Sequence, residues 1–434
     1  MSPPVDPVES DPGLPARVDV VVIGGGIIGV STVLALAEKG ISAALCEKGR
    51  IGGEQSSRNW GWCRTMGRDP REIPLSIEAQ RIWRGLDRRL GIDTGYRQSG
   101  IVYLCEGPAD IARHEAWLEH AKLYQLDSRM LATAEVDAVL PGSARRWPAA
   151  LYTASDGRAE PQRAAPAIAR AARERGAAIL TGCAVRGLDR QGGRIAGVVT
   201  EKGRIACDSV VLAGGAWSRL FCGNVGFDLP QMKVLGSVLR TQPLEGLPEI
   251  AAAASDFAFR KRADGGYTIS QRAAVSDITP DSFRLFLDFL PNLRATWSDL
   301  RLRVGGRFLE EWRIPRRWGM EEASPFEAVR VLDPVPSRAL LDGARANLTR
   351  AFPGFAAMQV AQEWGGLIDV TPDVVPVISA VERIPGLHIA TGFSGHGFGI
   401  GPGAGRLMAD LVANDTPIVD PTPFRHDRFR RSAA

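Results

Sequence analysis

The sequence predicts an α/β protein of two domains, one built on a parallel sheet that the chain enters three times and one of α+β type with an antiparallel sheet. Three observations predict it. The 434 residues exceed what one hydrophobic core usually serves, and 45% of them are apolar. A strand–helix–strand unit opens at residue 18, and strands running into glycines return near residues 208–215 and 387–397. Between these blocks, residues 86–150 and 226–335 are richer in aromatic and arginine residues and read as excursions.

In chain order, residues 1–17, "MSPPVDPVESDPGLPAR", are proline-rich and acidic and predict a disordered tail instead of a signal peptide. Residues 18–23 form a β-branched run that meets glycines at once. Apolar residues Val30, Val33, Leu34 and Ala37 then follow at helical spacing, with Gly40 as the stop. A second strand over residues 41–46 completes a βαβ unit. Gly24, Gly26 and Gly29 fit G-x-G-x-x-G: a tight turn, room for a pyrophosphate against the backbone, and close helix–strand packing. The helix N-terminus favours the phosphate, and Glu47 ends the second strand where a carboxylate receives ribose hydroxyls. The unit itself does not choose between NAD and FAD. The next stretch, "EKGRIGGEQSSRNWGWCR", brings polar groups at Arg58 and Asn59 where a plain NAD domain would start another βα repeat, and so points to FAD.

Further on, "RAAPAIARAARERG" predicts a helix, the following residues short strands, and residues 208–213 a strand ending in Gly214 and Gly215 before Trp217. The hairpin "FAFRKRADGGYTIS" and the helical "DSFRLFLDFLPNLRATWSDL" belong to the second excursion. Near the end, residues 387–391 predict a strand, and every second residue from Gly395 to Gly405 is glycine before a helix over about 404–412. We read this comb as backbone pressed against a flat ring, with a helix start facing electron-rich atoms.

The charge balance of 53 basic and 49 acidic residues has no concentrated basic stripe, which excludes nucleic acid as a partner. The six cysteines show no C-x-x-C or metal-ligand spacing and read as reduced cytosolic thiols, with no metal site. No window is apolar for long enough to span a membrane, which leaves peripheral membrane contact open.

Taken together, "VVIGGGIIG" with Glu47, "EQSSRNWG", "VVLAGGAWS", "WGGLIDVTPDVVPVI" and "GFSGHGFGIGPGAG" come in the order found in the FAD-dependent D-amino-acid oxidase superfamily, which the chain resembles over nearly its whole length. That group contains glycine oxidase, sarcosine oxidase and the bacterial amino-acid deaminases. The resemblance implies a Rossmann-like FAD-binding domain of the three-segment, glutathione-reductase type, over residues 18–85, 151–225 and 336–434. The substrate-binding domain takes residues 86–150 and 226–335. Gly24, Gly26, Ile27, Ile28, Gly29, Glu47 and Lys48 would hold the ADP half. Gln55, Ser56, Ser57, Arg58 and Asn59 would take the middle of the cofactor. Val185 would meet the adenine, and Gly214 and Trp217 would line the channel. Gly392, Gly395, His396, Gly397, Phe398 and Gly399 would border the flavin.

There are departures. The arginine that precedes "TPD" in glycine-oxidase-like members is replaced here by the run Gly366, Leu367, Ile368, Asp369, and Gly399 stands where sarcosine oxidases carry lysine. No cysteine occupies the family's covalent flavin position, so the FAD is expected to be non-covalent. "GEQSSR" is closest to the membrane-associated L-amino-acid deaminases, but residues 1–17 do not match their apolar anchor.

The implied reaction is oxidative deamination of an amino acid or secondary amine. Hydride passes from the α-carbon to flavin N5, and the imine is hydrolysed to a keto acid and ammonia, with oxygen or a quinone as electron acceptor. A carboxylate-binding arginine is then needed. Arg260 is the favoured candidate, ahead of Arg262 on the same strand face and Arg64 beside the flavin segment. His396 is placed to donate to the ring, and Trp364 to wall the pocket. The alternative is an FAD-binding subunit of a multi-subunit opine, proline or N-methyl amino acid dehydrogenase. A flavin aromatic hydroxylase would lack the C-terminal comb. The expected location is cytoplasmic or peripheral to the inner membrane.

Overall fold

The computed structural model describes residues 2–429. Its first layer is a six-stranded sheet, in which Val20–Ile23 lies between Ala43–Cys46 and Ser209–Leu212, parallel to both. Leu387–Thr391 extends it in parallel, Val377–Ala380 closes that edge antiparallel, and Ala178–Leu180 forms the other edge. The central strands are continuous apolar runs because both faces are covered. Val20 and Val22 face the helices Ile27–Glu38, Pro161–Glu174 and Gly397–Ala413. Val21 and Ile23, pointing the other way, pack with the three antiparallel strands spanning 185–206.

The second layer is a ten-stranded mixed sheet centred on Met232–Thr241 and Val360–Val370, which pair antiparallel along nearly their whole length. The expected hairpin is there, Ala258–Lys261 against Tyr267–Ser270. The expected boundaries shift. Val360–Val370 belongs to this second sheet, and Arg338–Ala351 packs Leu341, Ala344 and Leu348 into its core, so the chain rejoins the first layer only after residue 370 instead of at 336. The boundary at 151 cuts the strand Ala149–Thr153, and that at 85 cuts the helix Ile73–Leu90, which packs on the first layer.

The disordered tail expected over residues 1–17 is also corrected. Met1 lies outside the described residues, but the following segment runs over helix Pro161–Glu174 and the edge strand. There Asp6 N–H donates to the Gln162 carbonyl at 3.1 Å and Asp11 N–H to the Ile179 carbonyl at 2.9 Å. Prolines cut the entropy lost on docking such a segment.

The glycine comb packs differently from expectation. The helix begins at Gly397, not near 404, and its glycines alternate between two neighbours. A methyl on Gly399 would sit 2.7 Å from the Trp62 carbonyl oxygen, and one on Gly405 2.5 Å from the Ser31 carbonyl carbon. Gly401 lies against Ile27 and Gly403 against Leu75 and Ala79. Residues 399 and 403 share one face and 401 and 405 another, so the comb lets two helices and a strand approach a third helix at backbone distance. Among the described residues, all six cysteines are free and buried, no helix is long and apolar enough to cross a membrane, and no cluster of three metal-ligating side chains occurs.

Candidate functional site

The site starts at the end of the first strand. Gly24 has φ +110°, and a side chain there would strike the Ala213 carbonyl, while one on Gly29 would strike the carbonyl of Gly24. Helix Ile27–Glu38 therefore starts hard against the strand, with no cap from its own N-cap residue, Gly26. The Ser56 hydroxyl supplies it from another segment, accepting the Ile27 N–H at 2.8 Å. Glu47 is oriented in advance: Oε2 accepts the Gly25 N–H at 2.6 Å and Oε1 the Gly49 N–H at 2.7 Å. Burial pushes its carboxyl pKa up, against the opposing pull of Lys48 and these two bonds.

Two joined compartments follow. The first, a cleft of about 840 Å³ that opens to solvent, is lined by Gly24, Gly26, Glu47, Lys48, Gln55, Ser56, Val185, Gly214 and Trp217. The second, about 560 Å³, is lined by Gly26, Ile27, Ile28, Gln55, Ser56, Asn59, Gly395, Gly397 and Phe398, together with Asp369, Thr391 and Phe393. Gly26, Gln55, Ser56, Ala213 and Gly215 border both, so the channel is continuous. Lys48 closes one wall, its Nζ donating to Glu54 at 2.6 Å and lying 4.6 Å from the Trp217 ring centre, while Trp217 Nε1 donates to the same carboxylate. Gln55 Oε1 is buried without a hydrogen-bond partner and packs against Gly366, where a methyl would strike it.

Several expected residues do other work. Arg58 does not line the channel: its buried guanidinium donates to the Gly365 carbonyl at 2.8 Å, Asp333 at 2.9 Å and the Ser2 hydroxyl at 2.7 Å. Ser57 is buried behind it, its hydroxyl on the Glu54 carbonyl. Trp364 is core, with Nε1 on the Arg58 carbonyl.

Arg260 is wholly buried and bidentate on Glu160, with Nε on the Trp60 carbonyl, so the leading carboxylate-clamp candidate has no free donor face. Arg262, its strand neighbour, donates to Asp264. The hairpin face is covered by Glu160 because Pro161–Glu174 starts there, a contact no local pattern encodes. Arg64 bonds the Met66 carbonyl and lies over the Tyr103 ring at 5.5 Å.

His396 is the N-cap of the glycine helix, outside the channel lining, with Nδ1 3.1 Å from the fully buried Glu72. Burial, with Arg68 adding to it, lowers its pKa to about 4, so near neutral pH the ring is uncharged and Nδ1–H points to Glu72. Gly392 and Gly399 hold the turn and the helix packing around it.

Sequence reasoning missed Glu72, Gln231 and Asp369. The signal for the last was present: a single acid in the apolar run Leu367–Val370 must be satisfied by its neighbours. Its Oδ2 accepts the Gly392 N–H at 2.7 Å and Gln231 Nε2 at 3.2 Å, and burial pushes its pKa up.

A family model described as FAD dependent oxidoreductase matches residues 19–411. The solved L-amino acid deaminase from Proteus myxofaciens, in complex with anthranilate, is 36% identical to this chain, with a TM-score of 0.96 over 99% of this chain and 98% of that one. Glycine oxidase of Pseudomonas aeruginosa is 26% identical over 93% of this chain and 97% of its own length. Sarcosine oxidase subunit beta of an Arthrobacter species is likewise 26% identical, over 95% and 91%.

Proposed function

The chain belongs to the family of FAD-dependent oxidoreductases, and on that premise we propose that it oxidatively deaminates an L-α-amino acid. The carrying observation is the full-length likeness to a deaminase held with anthranilate, an aromatic amino carboxylate, which favours a substrate with a bulky apolar side chain.

The channel fits FAD. It offers helix-start N–H groups for phosphate, the oriented carboxylate of Glu47 for a ribose, and a second helix start at Gly397 at the far end. The chemistry supplied by bound FAD is acceptance of the hydride leaving the substrate α-carbon, after which water hydrolyses the imine. The protein's own work is to bind, orient and exclude solvent. Glu47 and Ser56 fix the near half. The turn before Gly397 fixes the far half. The second compartment is lined by neither cysteine, histidine nor tyrosine, which supports non-covalent binding.

One surface supports peripheral membrane contact. The excursion around residues 280–318 exposes Phe283 (69%), Leu287, Trp297, Val304, Leu309 and Trp312 (65%), interspersed with the exposed arginines 284, 294, 303, 313 and 317. Buried free thiols fit a reducing compartment on the cytoplasmic side. The likeness to a sarcosine oxidase subunit favours the second reading, an FAD-bearing subunit for N-methyl amino acids.

Anaerobic bleaching of the purified yellow protein decides between the readings. Bleaching by L- but not D-amino acids, without NADPH, is expected. No response to any L-amino acid rejects the proposal, and a response to sarcosine alone selects the second reading.

A further inference from the structure

The strand Val360–Val370 belongs to the second sheet, whereas the turn at residues 391–396 leaves the first sheet and starts the glycine helix. The two meet at Asp369. Its carboxylate accepts the Gly392 N–H at 2.7 Å, with Gln231 Nε2 and the Thr391 hydroxyl each 3.2 Å from the same oxygen. Its carbonyl accepts the Ser394 N–H at 2.8 Å, and the next residue, Val370, forms a bridge to Phe393.

The turn so held is strained. Gly392, Ser394 and Gly395 have φ of +73°, +50° and +82°, and Ser394 is a residue that rarely adopts such a value. Strain of this kind persists only where surroundings enforce it, and here the enforcing groups are the side chain and backbone of Asp369, with the Thr371 N–H donating to Ser394 Oγ at 3.3 Å beside them. Asp369, Phe393, Gly395 and Gly397 all line the second compartment. The first-turn N–H groups of the helix have no acceptor within the helix and face outward.

We propose that Asp369 is a positioning residue for the flavin: its carboxylate clamps the Gly392–Gly395 turn so that the first-turn N–H groups of helix Gly397–Ala413 meet the pyrimidine edge of the ring. Those donors stabilise negative charge that develops at N1 and the C2 carbonyl. The electron affinity of the ring is thereby tied to a strand of the substrate layer. This rests on the reading that FAD fills the channel.

Sulfite, which adds reversibly to flavin N5 and binds more tightly when donors support N1 and C2, reports on the clamp without turnover. Asp369→Ser, too short to reach Gly392, is expected to weaken sulfite binding about tenfold or more. Asp369→Asn, which keeps an oxygen acceptor, should stay within about threefold of wild type. Hydrogen exchange of the peptide spanning 391–398 should quicken in the Ser variant but not the Asn variant, and this can be read on apoprotein if the Ser variant refuses FAD. Unchanged sulfite affinity in FAD-replete Asp369→Ser, or unchanged exchange in its apoprotein, overturns the inference alone. A wild-type chain that binds no FAD overturns the underlying reading as well.

Discussion

The guanidinium of Arg260 lies across the carboxylate of Glu160, Nη1 to Oε1 at 2.8 Å and Nη2 to Oε2 at 3.0 Å, with both side chains shut away from water. Arg260 comes from the hairpin of the second sheet and Glu160 is the N-cap of a first-layer helix, so the pair joins two layers.

Truncating one partner strands the other charge. Arg260→Ala should cost about 3–5 kcal/mol of folding stability, read by urea denaturation, and leave the Michaelis constant of the folded fraction unchanged. A selective rise in that constant at undiminished stability would restore Arg260 to the substrate.

The same pair sets an acid limit. Burial alone would raise the Glu160 pKa, but Arg260, then Arg262 and the Ala263 N–H, hold it at about 2 against an ordinary 4.5. With the folded value depressed, the stabilisation is fully present above pH 4.5 and is lost as pH falls towards 2. It amounts to roughly 3 kcal/mol. The acid limb of stability against pH should be shallower in Glu160→Gln, and equal steepness would count against the assignment.

Gly405→Ala drives a methyl into the backbone of Ser31 and Thr32, whereas Gly401→Ala meets only the Ile27 side chain, which can turn away. The first should cost about 1–3 kcal/mol and the second less, measured as paired denaturation midpoints. Equal costs would mean that the helices do not approach as closely as the comb permits.

Glu47→Gln keeps the shape but removes the charge that orients Gly25 and Gly49 and would receive a ribose. Calorimetric titration of apoprotein should show FAD affinity reduced about 10- to 100-fold. An unaltered affinity would place the nucleotide elsewhere.

The apolar and basic face of the 280–318 excursion predicts flotation with vesicles of anionic phospholipid, weakened by salt and by Phe283→Ser with Trp312→Ser. Identical flotation of the double variant would remove the face from consideration.

Much of the nucleotide half could be read in advance because its signals are local. A strand, a glycine turn, a helix and an acid follow one another within the span of one βαβ unit, and the strand at residues 387–391 appears as expected. Segments whose partners lie far along the chain carry no such local signal. Val360–Val370 carries the glycines and apolar residues of a first-layer strand, yet its hydrogen bonds go to Met232–Thr241. The segment over residues 2–17 finds its partners far along the chain: Asp6 N–H on the Gln162 carbonyl, Asp11 N–H on the Ile179 carbonyl, and the Pro7 carbonyl under Arg170.

By itself, the sequence determined the chemistry of the near end of the channel, since G-x-G-x-x-G and Glu47 act through backbone geometry that neighbouring residues dictate. Tertiary structure alone decided which charges are spent. Arg58 and Arg260 are committed to Asp333 and Glu160, and Asp369 to Gly392, because a buried charge must find its complement wherever the fold brings one.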